Sequence, residues 1–534
     1  MDFMQFCCMA VFLHRKLRYR NIYLAGLWII VFSLPVSHFG ISVGTFIILG
    51  IWLLEGDYKK KKNILASHPG ILIFASIFLL CLAGLLNTSD FSYAWRDIVI
   101  KLPILVLPVL IGTSAPISPK EFRIVFSGLL VGLWITSLTG LAALMGYLNF
   151  PVQDVRDISL FISHIRLALL LGLSLHILLY LLLNSRPLPT TEKTGYLISM
   201  LWFIFFLFIL KAGTSFFMLV LFAMVLFIFL IKSIKSFILK YFVIILGITI
   251  VLLAVTWLNH AIGRFYARDP LQEPVQAERT VNGNPYDKPV NLTDTENGHY
   301  VWLHVCEKEL RKAWNSHSKL DYNGRDLRGQ ELRRTLIRYM TSKNLPKDST
   351  GFARMSPEDI HNVENGMANY LYTYRVALYP YFYQVLWEMN QYKKGKLSGH
   401  SHIQRLEYLK TGWQIARDHF WFGVGTGDVP DMYNTYYEKN HSSLTPDWRL
   451  RTHNQYLTYW LTYGIFGFMW FLFSFFSPFF FEKKQHNYPA VIFLIIAAMS
   501  MLYEDTLETQ VGVYFVVFFY SLLIFGIKKQ TITK

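Results

Sequence analysis

Just before a long apolar run stands the segment RLRTHNQYL, and its histidine has both the chemistry and the placement of a general base. Histidine as a residue type titrates near neutrality, and His453 sits where polar chain enters an apolar helix. About fifty residues earlier Arg405 opens a helical stretch, QRLEYLKTGWQIARDHF, which runs into WFGVGTGD. A guanidinium presents a planar fork of donors that holds phosphate oxygens bidentately. Residues of these two types could take a proton from a hydroxyl and hold an anion, respectively. Each residue also has a structural reading. His453 with Asn454 would cap the helix that follows, and Arg405 would pair with Glu407 on a solvated face.

A second rank of basic residues surrounds these. Arg449 and Arg451 precede His453 and either add positive potential or pair with lipid headgroups. His164 and Arg166, in ISHIRLALL, open another apolar run; ionisable groups facing a helical bundle are expensive and usually functional. Lys211 lies in the short turn LKAGTS between two apolar runs. The glycines of GVGTGD lack the Lys-Ser/Thr of a phosphate-cradling loop and read as a tight turn that lets backbone approach closely. Asp428 and Asp431 are the nearest approach to a metal-binding acidic pair. The four cysteines have neither disulfide nor zinc spacing. The sequence therefore predicts no metal and no cofactor.

These residues are hung on an overwhelmingly apolar chain. Of 534 residues 53% are hydrophobic and 16% charged, with the apolar residues in blocks rather than in alternation. Runs of spanning or near-spanning length begin near residues 22, 41, 70, 98, 122, 160, 196, 215, 240, 455, 490 and 511, which predicts about twelve transmembrane helices. The net charge is +16, yet residues 259–452 hold 26 Lys/Arg against 22 Asp/Glu, so only +4 of it lies there. The rest flanks the apolar runs, which argues against nucleic acid and for membrane lipid. With the N-terminus in the cytoplasm, Lys59–Lys62, Lys232, Lys240, Lys483 and Lys528 all fall inside, while the opposite short connections are poor in Lys/Arg. The predicted architecture is an all-α integral membrane protein: an N-terminal transmembrane bundle of about nine helices over residues 1–257, a large, mainly helical periplasmic loop over 258–452, and about three C-terminal transmembrane helices over 453–534. Within the loop, helices are expected at 299–314, 329–341, 356–374 and 403–419. Ser356 and Asp359 form a capping box, with Pro357 at the first helical position.

Across residues 404–471, an Arg opening a helix, then WFGVGTGD, then HNQYL leading into a Gly-containing membrane helix resembles the O-antigen ligase and polymerase family. The resemblance implies a metal-independent glycosyltransferase of the bacterial inner membrane with its active site facing the periplasm. The implied donor is an undecaprenyl-pyrophosphate-linked glycan. The acceptor hydroxyl belongs to lipid A core for a ligase, to another glycan repeat for a polymerase, or to a protein for an O-oligosaccharyltransferase; ligation is the expectation here. Catalytic roles would fall to His453 and Arg405, with Arg166, Lys211, His164, Arg449 and Arg451 binding substrate. Relatives commonly carry Ser-Arg in the turn where this chain has Ala212-Gly213, so either Lys211 or Arg166 takes over that arginine's contact or the donor is held differently. With no carboxylate evident near His453, single displacement with inversion is the expected course. The rival of another class is a lipid-carrier flippase or transporter, which predicts mid-helix charges and repeated halves; neither is evident here.

Overall fold

The computed structural model describes residues 3–150, 155–184, 188–269, 279–374, 378–393 and 401–527. The chain is predominantly helical, and the strands named in it are two short ones. It divides into two compact units, Met1–Leu230 with Gln404–Lys534, and Ile231–Ile403. The helix Phe237–Tyr266 falls with the second unit, and the Arg405 and His453 segments fall with the first.

Among the described residues eight helices are long and apolar enough to cross a membrane: His38–Glu55, Pro69–Asn87, Pro119–Leu144, His164–Asn184, Thr190–Leu210, Gly213–Ser233, Phe237–Tyr266 and Gln455–Phe481. The expected segments outside this set are helical too, but differently built. The run near residue 22 is the C-terminal half of Phe3–Ser33, whose N-terminal half carries the cluster Arg15, Lys16, Arg18 and Arg20. The run near 98 is split into Phe91–Lys101 and Pro103–Thr113, because Pro103 has no N–H to continue the first helix. Tyr488–Tyr503 and Gln510–Gly526 are shorter apolar helices.

In the first unit these helices share one apolar core, in which Leu27, Leu107, Leu129, Leu171, Phe475 and Phe518 are completely buried. Helix starts follow local sequence. Ser118 and Glu121 close a capping box ahead of Pro119, and the Asp90 side chain accepts from the amides of Ser92 and Tyr93.

The second unit has its own core around Trp314, Tyr322, Leu332, Leu336, Ile337 and Met340. Its helices run Glu307–His317, Leu332–Ser342, Pro357–Glu364 and Leu378–Lys393. The predicted capping box of Ser356 and Asp359 is formed, but the helix it starts stops at Glu364 instead of continuing to 374. Asn365-Gly366 ends it, with Gly366 in the left-handed region (φ 74°). The predicted start of a helix at 299 is likewise a hairpin: Thr295–Glu296 pairs antiparallel with His299–Tyr300 through an Asn297-Gly298 turn. Asn-Gly is the strongest short hairpin signal, and here it overrides the helical pattern that follows.

Candidate functional site

The helix Gln455–Phe481 begins with two residues doing different jobs. Asn454 caps it: the side-chain oxygen accepts from Leu457 N at 2.9 Å, and the side-chain amide donates to Leu502 O at 2.9 Å. His453 is left free of that task. Its backbone is left-handed (φ 50°), an uncommon conformation for a residue with a side chain, and the imidazole turns toward Tyr408 and Glu504. The capping reading of this pair therefore holds for Asn454 and not for His453.

Three basic side chains from distant parts of the chain converge on Glu504. His453 Nδ1 lies 3.5 Å from Glu504 Oε1. Arg405, on the helix Ser401–Asp418, places Nη2 3.7 Å from Oε2 and donates from Nη1 to Tyr503 O at 3.1 Å. Arg166, two residues into the helix His164–Asn184, places Nη2 3.9 Å from Oε1. These are ion-pair distances rather than formed hydrogen bonds. Accordingly His453 Nδ1, Arg166 Nε and Glu504 Oε2 are all buried with no hydrogen-bond partner among the described residues. Burial pushes the Glu504 carboxyl up, but the basic neighbours His453, Arg166 and Arg405 outweigh it and hold the group below its ordinary range. A buried carboxylate thus stays ionised among cations that have donors to spare.

The next residue fixes the backbone. Asp505 accepts from His453 N at 3.1 Å, Thr452 Oγ1 at 3.2 Å and Thr458 Oγ1 at 2.7 Å, tying the 503–509 connection to the segment that carries His453.

Of the other sequence-predicted residues, Arg451 and Arg449 find partners away from Glu504. Arg451 ion-pairs with Glu508 at 2.7 Å and also bonds Tyr93. Glu508 in turn takes Lys101 Nζ at 2.9 Å and Gln455 Nε2 at 2.9 Å, and Lys101 reaches Asp97 at 2.8 Å. Arg449 pairs with Glu438 at 3.3 Å. His164 opens the helix of Arg166. Lys211 closes the helix Thr190–Leu210 in the left-handed region, and the ring of Phe217 just beyond its turn packs on Tyr503.

The glycine loop turns out to be packing, not a ligand cradle. At Gly425 (φ 94°) a Cβ would meet Asn87 O at 2.1 Å, and at Gly464 (φ 68°), where the helix Gln455–Phe481 is broken, one would meet Trp421 O at 2.0 Å. The backbone that approaches closely is the protein's own. Asp428 accepts from the amides of Ser89 and Asp90. Among the described residues no group of three or more His, Cys, Asp or Glu is placed to hold a metal ion. More than two turns along from His453, Leu80, Ala83, Phe420, Trp421, Tyr463 and Gly467 line a mostly apolar cavity of about 680 Å³.

Sequence reasoning missed the carboxylates. The 503–509 connection is one of the short links poor in Lys/Arg, yet Glu504, Asp505 and Glu508 organise the contacts around it. The available signal was three acids in a seven-residue link between apolar helices, where unpaired charge is costly.

These features define a helical, multi-pass membrane protein whose polar site gathers one histidine, two arginines and a buried glutamate. Residues 366–472 match the sequence model of the O-antigen ligase family, a stretch that includes Arg405 and His453 and encloses the 404–471 resemblance; Arg166 and Glu504 lie outside it. No curated protein and no solved structure matches the chain.

Proposed function

We propose that the protein transfers a glycan from an undecaprenyl-pyrophosphate carrier to an acceptor hydroxyl on the periplasmic side, with ligation to lipid A core as the reaction. The observation that carries the reading is the convergence of His453, Arg405 and Arg166 on Glu504. The family match over residues 366–472 supports glycan transfer as the chemistry. The positive-inside pattern supports the placement, with residues 258–452 as a periplasmic loop and about twelve spans in all.

In this mechanism His453 Nδ1 or Nε2 takes the proton of the acceptor hydroxyl as the oxygen attacks the anomeric carbon, and the pyrophosphate leaves. Arg405 and Arg166, with Lys211 and His164 in support, stabilise the charge that develops on the leaving group. Glu504 faces the imidazole and orients it. Arg451 and Arg449 drop out as donor ligands, because Glu508 and Glu438 occupy them.

The structure also removes the premise on which inversion was expected, since Glu504 lies within reach of His453. A carboxylate shared by two guanidiniums is a weak nucleophile, so single displacement with inversion remains the proposed course. Mass spectrometry of protein quenched during turnover tests this: a glycan covalently attached to Glu504 overturns it, and unmodified Glu504 with an inverted anomeric linkage supports it. For the function itself, cells carrying His453→Ala should lose attached glycan and accumulate the lipid-linked donor at normal protein level. Unchanged lipopolysaccharide, glycan polymer and glycoprotein would point instead to a flippase or transporter.

A further inference from the structure

The short segment that leads into His453 has no regular structure of its own, so its neighbours must hold the base in place. Residues 449–453 lie in neither helix nor strand. A side-chain-bearing residue in the left-handed region, as His453 is at φ 50°, keeps that conformation where the surrounding contacts over-determine it. Tyrosine hydroxyls from two helices supply such contacts. Tyr408, on Ser401–Asp418, donates to Trp448 O at 2.8 Å, and Tyr437, on Val429–Lys439, donates to Leu450 O at 2.8 Å. Asp505 holds the far end by accepting from His453 N at 3.1 Å.

Of these three, Tyr408 also meets the imidazole. Its ring centroid lies 5.7 Å from that of His453 at a tilt of 38°, within the range of aromatic contact. The side chain is buried at 2% exposure. Burial pushes the phenol up to about 12, against the opposing pull of Arg405, so the hydroxyl keeps its proton near neutrality and serves as a donor. That single proton goes to Trp448 O, the shorter of two contacts. The other, Gln404 Oε1 at 3.4 Å, belongs to a buried amide whose Nε2 has no partner among the described residues. Turning that amide over lets Nε2 donate to the Tyr408 oxygen, which satisfies both groups. Tyr408 is thus bonded on both sides and fixed in plane. It stands three residues after Arg405 and on the same helix face.

We propose that Tyr408 is a positioning residue for the transfer reaction. It ties the helix that carries Arg405 to the segment that carries His453, and so sets the spacing between leaving-group cation and base while orienting the imidazole ring. The proposal rests on the glycan-transfer reading for the roles of His453 and Arg405, and on the contacts alone for the hold itself. A tyrosine that only filled space would need its ring and not its hydroxyl, and phenylalanine would serve as well.

The test uses full-length Tyr408→Phe in lipid nanodiscs, with lipid-linked donor and purified acceptor. This variant keeps the buried ring, so the melting temperature should stay close to the parent's. Amide exchange followed by mass spectrometry should be faster across residues 449–453. The kcat should fall roughly tenfold to a hundredfold, with the KM for donor unchanged, because donor binds as before and meets a misplaced base. Tyr408→Leu, which also removes the ring contact, should lose more. Added to His453→Ala, Tyr408→Phe should lower the residual rate no further, since it acts through the imidazole. Parent kcat and parent exchange in Tyr408→Phe would overturn the proposal, as would a full further loss in the His453→Ala background. Faster exchange in Tyr408→Phe beside parent-rate transfer by His453→Ala would sink the catalytic reading of His453 and leave the hold standing.

Discussion

The two ends of one short connection, residues 503–509, hold two charge clusters built to opposite standards. Around Glu508, Arg451 and Lys101 close to 2.7 and 2.9 Å, Gln455 adds a bond at 2.9 Å, and Asp97 takes up Lys101 at 2.8 Å. Around Glu504, the three basic groups stop at 3.5 to 3.9 Å and leave buried donors and an acceptor unsatisfied. A buried network with every member paired holds structure in place; one with spare donors is arranged to meet something else. Asp505 lies between the two and ties the tight end to the His453 backbone.

Substitutions at the two ends should accordingly separate activity from stability. The largest effect belongs to His453→Ala, which should lower the transfer rate by roughly 10²–10⁴-fold at unchanged melting temperature, measured with lipid-linked donor and purified acceptor. Arg405→Ala should follow, with a loss of roughly 10²–10³-fold that Arg405→Lys restores only in part, because a point charge cannot replace the bidentate fork. Glu504→Gln should cost on the order of tenfold or more in rate while preserving fold, since it keeps the shape and removes the negative charge that faces the His453 imidazole. At the tight end, Glu508→Gln leaves Arg451 and Lys101 buried without their counter-charge and should destabilise the protein by about 3–5 kcal/mol, read as a fall in melting temperature in detergent. The smallest effect is expected from Arg449→Ala, which breaks one partly exposed pair with Glu438 and should change stability by less than about 1 kcal/mol and transfer not at all. Loss of rate in Arg449→Ala, or loss of rate without loss of stability in Glu508→Gln, would erase the distinction between the clusters.

Much of this was legible in the chain, for physical reasons that also explain what was not. Apolar blocks announce helices, because in lipid every backbone polar group must be satisfied within its own segment, and each apolar run identified in the sequence is helical. His453, Arg405 and Arg166 were readable from residue type and from their positions at helix entries. Their convergence was not, since residues 166, 405, 453 and 504 meet only through tertiary packing. Glu504 went unnoticed because attention to Lys/Arg counts, the right measure for orientation, is blind to acids. The partners of Arg451 and Arg449 were hidden for the same reason: that they pair with Glu508 and Glu438 is seen only in the fold. In the second unit, turn chemistry overrides periodicity twice: the Asn297-Gly298 hairpin replaces the expected start of a helix at 299, and Asn365-Gly366 ends one that the pattern would continue.

The most direct test of the central claim is transfer by purified His453→Ala in nanodiscs, supplied with undecaprenyl-pyrophosphate-linked glycan and lipid A core, with donor binding followed in the same sample. The account predicts that donor still binds and no product forms. Product formed at the parent rate would show that His453 is not the base and that its approach to Glu504 is structural.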